Sequence, residues 1–128
     1  IKGKFRSRRD LARDAIHLER KLCGEEGGWQ DQIEVSYGGL NKIDFKPDGE
    51  FVVRPIVISS ERKKSLNDHL LLFFTGFSRL SSEIAKHQSA SIESKTRVLL
   101  EMMDLVEEGE KVLSSKADLE DFGRLRGC

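Results

Sequence analysis

Asn41-Lys42-Ile43-Asp44-Phe45-Lys46-Pro47-Asp48-Gly49-Glu50-Phe51-Val52-Val53-Arg54-Pro55 is the stretch that decides the fold class. Ile43 and Phe45 sit between polar neighbours, the period of two that marks a half-buried strand. Lys46-Pro47-Asp48-Gly49 is turn chemistry, because proline presets φ and glycine accepts a positive one. From Phe51 to Ile58 the chain is again rich in β-branched residues, so 40–58 is predicted to form an antiparallel hairpin. Pro55 lacks a backbone donor, which makes this strand an edge or ends its pairing early.

Outward from the hairpin the periodicity changes. Upstream, Ser7 is placed to cap a helix whose Leu11, Ala15, Leu18 and Leu22 form one apolar stripe, and Gly24 stops it. Trp29, Ile33 and Tyr37 recur every fourth residue in a second short helix that ends at Gly38-Gly39. Downstream, Ser60 opens a charged helix to about Asn67, and the apolar run His69–Phe74 reads as a buried central strand. Gly76 breaks that run, and Ser78 or Ser81 begins a helix through Gln88. Ser91 opens the longest helix, with Ile92, Thr96, Leu99, Met103, Val106 and Leu113 on one face. A last helix is expected over 117–124, with Leu119 and Phe122 inward. The class that follows is α/β in the broad sense, more narrowly α+β, with hairpin material early and helices late.

Composition narrows the function. The chain has 128 residues, enough for one core, and its 22 basic and 22 acidic side chains give a formal net charge of zero. That balance offers no field to gather nucleic acid or an anionic membrane. No apolar run approaches the roughly 18 residues of a membrane span, and the basic, polar start is no signal peptide. Cys23 and Cys128 are far apart with no metal-ligand spacing, which fits reduced thiols in a cytoplasmic protein. His17, His69 and His87 fall in separate elements, so no metal site is expected. No glycine-rich loop able to cradle phosphates is present in the chain.

Two segments stand out. In Gly27-Gly28-Trp29-Gln30-Asp31-Gln32, two glycines precede a lone carboxylate at a helix start between two amides. A short, rigidly placed acid of this kind suits a substrate hydroxyl; it equally suits a first helical turn, where a carboxylate favours the dipole and does no chemistry. In Thr75-Gly76-Phe77-Ser78-Arg79, two hydroxyls and a guanidinium meet at an expected strand-to-helix junction. That is an anion pocket or a plain helix cap beside a surface arginine.

Gly28-Trp29-Gln30-Asp31-Gln32, with Tyr37-Gly38-Gly39-Leu40-Asn41 directly after it, resembles the catalytic segment of the heptose 7-phosphate kinases of the GHMP superfamily. The likeness continues through Leu71–Arg79, Ser82-Glu83-Ile84-Ala85, the helix of Met102 and Met103, and Asp121-Phe122-Gly123, and reaches upstream to Leu11–Glu19. The resemblance implies a two-lobed fold. Residues 1–60 would end an N-terminal lobe like the second domain of ribosomal protein S5, and residues 61–128 would begin a ferredoxin-like C-terminal lobe. It implies transfer of the γ-phosphate of ATP, with Mg²⁺, to a sugar hydroxyl. By position Asp31 matches the catalytic carboxylate, and Gly28, Trp29, Gln30, Thr75, Ser78 and Arg79 match acceptor-lining positions.

The family's Pro-x-x-x-Gly-Leu-Gly-Ser-Ser loop and its later Gly-Ala-Gly-x-Gly-Gly turn are missing from these residues. The expectation is therefore an internal fragment of a sugar-phosphate kinase that binds no ATP by itself. The alternative is a non-catalytic binding or scaffold domain built on the same core. Exposed strand edges in 40–58 predict a homodimer or a swapped assembly.

Overall fold

The computed structural model describes residues 5–25, 27–74, 76 and 95–125. It is mixed in class: the described residues form helices and one two-stranded antiparallel sheet, as the hairpin pattern predicts.

Helix α1, Arg8–His17, begins where expected: the Ser7 hydroxyl accepts from the Asp10 amide at 3.1 Å and donates to the Asp10 carboxylate at 2.7 Å. That donated bond, first among several causes, holds the Asp10 carboxyl below its ordinary value. The helix continues into a π-helical turn, Leu18–Leu22, and Gly24 then reverses the chain at φ 70°. Helix α2, Gln30–Tyr37, leads into strands β1, Asn41–Phe45, and β2, Phe51–Pro55. Asn41 faces Pro55 and Phe45 faces Phe51 in the register.

Pro55 costs the hairpin nothing. The Ile56 amide donates to Leu40 and the Lys46 amide to Glu50, so by alternation the Asn41–Pro55 pair is a non-bonded one. The proline's missing donor faces away from β1. At the tip, Gly49 takes φ 80° and donates to the Lys46 carbonyl at 3.0 Å, while Asp48 accepts from the Glu50 amide.

The core is small. Ala12, Ile33 and Phe51 are buried together, with Ile16, Trp29, Tyr37, Ile43 and Val53 packed around them. Trp29, Ile33 and Tyr37 thus form the inward face of α2, as their spacing predicts. The inward face of α1 is different from the expected one. Leu11, Leu18 and Leu22 are exposed, and Ala12 and Ile16 point inward instead. Long-range ion pairs set that rotation. Arg9 and Arg13 both pair with Glu50 at the hairpin tip, and the Arg9 guanidinium lies 5.3 Å from the centre of the Phe51 ring. These contacts turn the Arg9–Ala12–Arg13–Ile16 stripe toward the sheet.

Helix α3, Ser60–Asp68, is capped by Ser59, one residue before the expected cap. Residues 70–74 form no strand. Leu72 is fully exposed and Phe74 is 92% exposed, because among the described residues no strand lies beside them to accept their backbone bonds. The helix expected between Ser78 and Gln88, and the start expected at Ser91, lie outside the described residues.

Helix α4, Thr96–Ser114, and helix α5, Leu119–Arg124, complete the fold. Among the described residues of the predicted α4 face only Leu113 is buried; Leu99, Met103 and Val106 are open. Helix α5 starts two residues later than 117, capped by Asp118, with Leu119 and Phe122 half-buried as expected. Gly109 of α4 lets the Phe122 ring approach, since a Cβ there would meet it at 3.1 Å. Arg62 of α3 donates to the carbonyls of Leu113, Val112 and Ala117 at 2.7, 2.8 and 2.9 Å, satisfying the open C-terminus of α4. Lys42 of β1 joins α4 to the hairpin through Glu107 and Glu110.

Candidate functional site

Asp31 is the second residue of α2, exposed, and bound to no other group among the described residues. Its position is fixed by its neighbours. Trp29 precedes the helix and packs against the core, edge-on to Phe45 at 6.4 Å between ring centres. Gly49 passes close under the indole, leaving 3.6 Å for a side chain it does not have. The carboxylate therefore projects from a backbone whose preceding residue is clamped between helix and hairpin.

Two bonds from the end of α1 complete the clamp. Arg20, in the π turn, donates to the Gly27 carbonyl, and the Gln32 amide donates to Glu19. Sequence reasoning did not find Glu19 and Arg20 as parts of this segment. They lie 13 and 7 residues from their partners, and only the reversal at Gly24 brings them together. The Gln32 amide oxygen, Oε1, is buried without a partner among the described residues.

Gly28 and Gln30 are exposed on either side of the clamped indole. Gln30 also borders a cleft of about 660 Å³ between the hairpin and helices α4 and α5, lined largely by apolar residues such as Leu40, Ile43, Met102 and Leu105. Trp29 borders a second pocket of about 310 Å³ on the α1 side. Asp31 lines neither cavity. Thr75, Ser78 and Arg79 lie outside the described residues.

Among the described residues, no three His, Cys, Asp or Glu side chains gather where a metal would sit, and no helix is long and apolar enough to cross a membrane. The chemistry available at the segment is that of one free carboxylate, two neighbouring amides and an aromatic wall.

A D-glycero-alpha-D-manno-heptose 7-phosphate kinase of Campylobacter jejuni is 27% identical to the chain over 116 residues, covering 91% of this chain and 34% of that protein. The chain resembles sugar kinases. A bifunctional fucokinase/GDP-fucose pyrophosphorylase of Arabidopsis thaliana is 35% identical over 80 residues, 61% of this chain and 8% of that protein. The chain thus spans about a third of the first relative's length and a small part of the second's. No family model matches it, and no solved structure does. A match over 116 of 128 residues takes in Asp31 wherever it begins.

Proposed function

We propose that the chain provides the acceptor side of an ATP-dependent sugar kinase, with Asp31 as its catalytic carboxylate. The observation that carries this reading is the free, exposed carboxylate on a clamped backbone, inside a span similar to a sugar-phosphate kinase. As the acceptor oxygen attacks the γ-phosphorus of ATP, its proton passes to Asp31, the bond from that phosphorus to the bridging oxygen breaks, and ADP leaves. A positioned carboxylate contributes roughly 10²–10⁴ in rate to such a transfer. Phosphoryl transfer depends chiefly on positioning and charge stabilisation, so the anchoring by Arg20 and Glu19 belongs to the same function.

The acceptor in this reading is a sugar of the heptose 7-phosphate type. Gly28, Trp29 and Gln30 contact it beside Asp31, and Thr75, Ser78 and Arg79 contact it on the strength of the resemblance alone. Among the described residues no three His, Cys, Asp or Glu side chains gather to hold a metal, and no step here runs through one. Residues 1–60 and 61–128 are assigned to the two lobes of such an enzyme.

The test is a coupled ADP-release assay of the complete gene product containing residues 1–128, run against a panel of sugars and sugar phosphates. ADP release dependent on a sugar phosphate, and lost in Asp31→Asn, supports the reading. No sugar-dependent release across the panel overturns it.

A further inference from the structure

The pocket on the α1 side has basic residues, Arg13, His17 and Lys21, that the kinase reading leaves unused. Arg13, His17, Arg20 and Lys21 line it, Trp29 forms an apolar wall, and no carboxylate is among its lining residues. In a chain with equal numbers of acids and bases, four basic side chains around one cavity without an acid are a local excess of positive charge. The π turn contributes to this arrangement. Arg13, His17 and Lys21 are spaced four apart, and the wider turn after His17 keeps Lys21 on their side of the helix.

The four basic side chains are not equally committed. Arg13 is engaged by Glu50, and Arg20 spends one donor on the Gly27 carbonyl. His17 and Lys21 have no hydrogen-bond or ion-pair partner among the described residues. A guanidinium carries five donors, so Arg20 can hold the loop and still reach an anion. The volume, about 310 Å³, is at the lower end of what a small ligand needs.

We propose that this pocket binds a phosphate group, with the rest of a small phosphate monoester lying against the Trp29 indole. The charge-assisted donors are of the kind that recognise phosphate, and the indole offers the apolar surface an ester carries and free phosphate lacks. Asp31 does not line the pocket, which shares only Trp29 with the acceptor contacts of the kinase reading, and the proposal holds whether or not Asp31 is catalytic.

Trp29 is the chain's one tryptophan, so its fluorescence reports on the pocket directly. The 128-residue chain is titrated with glucose 6-phosphate, inorganic phosphate and glucose at low salt. Expected are saturable changes with both phosphates, on the order of millimolar affinity, and none with glucose. Tighter binding of the ester names a phosphorylated small molecule as the ligand; equal binding names free phosphate. Either ranking supports the site. Lys21→Gln and His17→Gln, at exposed positions, should each weaken binding about tenfold with unchanged circular dichroism. The proposal is overturned by the absence of a saturable change up to about 20 mM, well above that range. It is equally overturned if both variants bind as the wild type does.

Discussion

The Lys42 ammonium on β1 lies 2.8 Å from Glu110 of α4 and also bonds Glu107, while its own side chain is only 5% exposed. One cation thus joins the hairpin to the long helix. The bond to Glu107, then that to Glu110, holds the lysine above its ordinary 10.5, and Lys42 holds the Glu107 carboxyl below its ordinary 4.5. The signs follow. The contribution of Glu107 is complete above 4.5 and is lost as pH falls through its lowered folded value; that of Lys42 is complete below 10.5 and lost as pH rises through its raised one. Thermal melts should show Tm falling on the acid side, and Lys42→Ala should lower Tm at neutral pH while flattening that acid-side fall. An unchanged acid-side slope in Lys42→Ala would remove Lys42 as its cause.

The core depends on few side chains, and Ile33 is its one large residue with no exposure at all. Ile33→Ala removes the contact between α1, α2 and β2 at their meeting point. The expected cost is about 2–4 kcal/mol, transfer and cavity terms together. A domain of this size has little stability to spare, so the variant should be largely unfolded near 37 °C. Urea unfolding followed by circular dichroism checks this, and a loss below about 1 kcal/mol would mean that the cluster collapses around the gap.

At Gly109 two effects oppose. Alanine in a helix interior is favoured over glycine by about 1 kcal/mol, but its Cβ would stand 3.1 Å from the Phe122 ring. Phe122 is half-buried on a six-residue helix and has room to move a few tenths of an ångström. Gly109→Ala should therefore be neutral or mildly stabilising. Gly109→Leu, too large for that shift, should release α5 and lower the urea midpoint; equal midpoints for both variants would contradict this packing.

These contacts separate what was legible in the sequence from what was not. The hairpin is written locally: alternation from Ile43 to Phe45 and the Pro47–Gly49 turn need no distant partner. The buried face of α1 is not. The Leu11, Leu18 and Leu22 stripe is the more apolar, yet Ala12 and Ile16 meet the core, on the side where Arg9 pairs with Glu50, 41 residues away. Apolarity alone misplaced Leu70–Phe74, since burial in a sheet requires neighbouring strands. The Asp31 segment stands out in the sequence by its glycines and amides and its assignment rests on the resemblance, whereas Glu19 and Arg20 carry no motif and join it only in the folded chain.

Nucleotide binding gives the next expectation. No glycine-rich loop in these 128 residues aims successive amides at a triphosphate, and no acidic set among the described residues would hold its metal. Titrating the chain with MgATP by calorimetry should give no affinity in the micromolar range. Saturation at micromolar MgATP would show that the described residues contain a cradle of another kind.

Asp31 allows stability and catalysis to be separated at one position. Exposed and unpartnered among the described residues, it supports the fold only through the dipole of α2, an effect of about 0.3–1 kcal/mol. Asn is nearly the same shape and keeps a side-chain oxygen at the helix start. Asp31→Asn in the 128-residue chain should thus leave circular dichroism unchanged and move the urea midpoint only slightly. In the complete gene product, the same change should lower kcat at least a hundredfold, the lower end of a general-base contribution, with ATP affinity nearly constant. A carboxylate that matters only to helix α2 gives the small stability change and a near-normal kcat. Loss of turnover without loss of fold is the result that only a catalytic carboxylate gives.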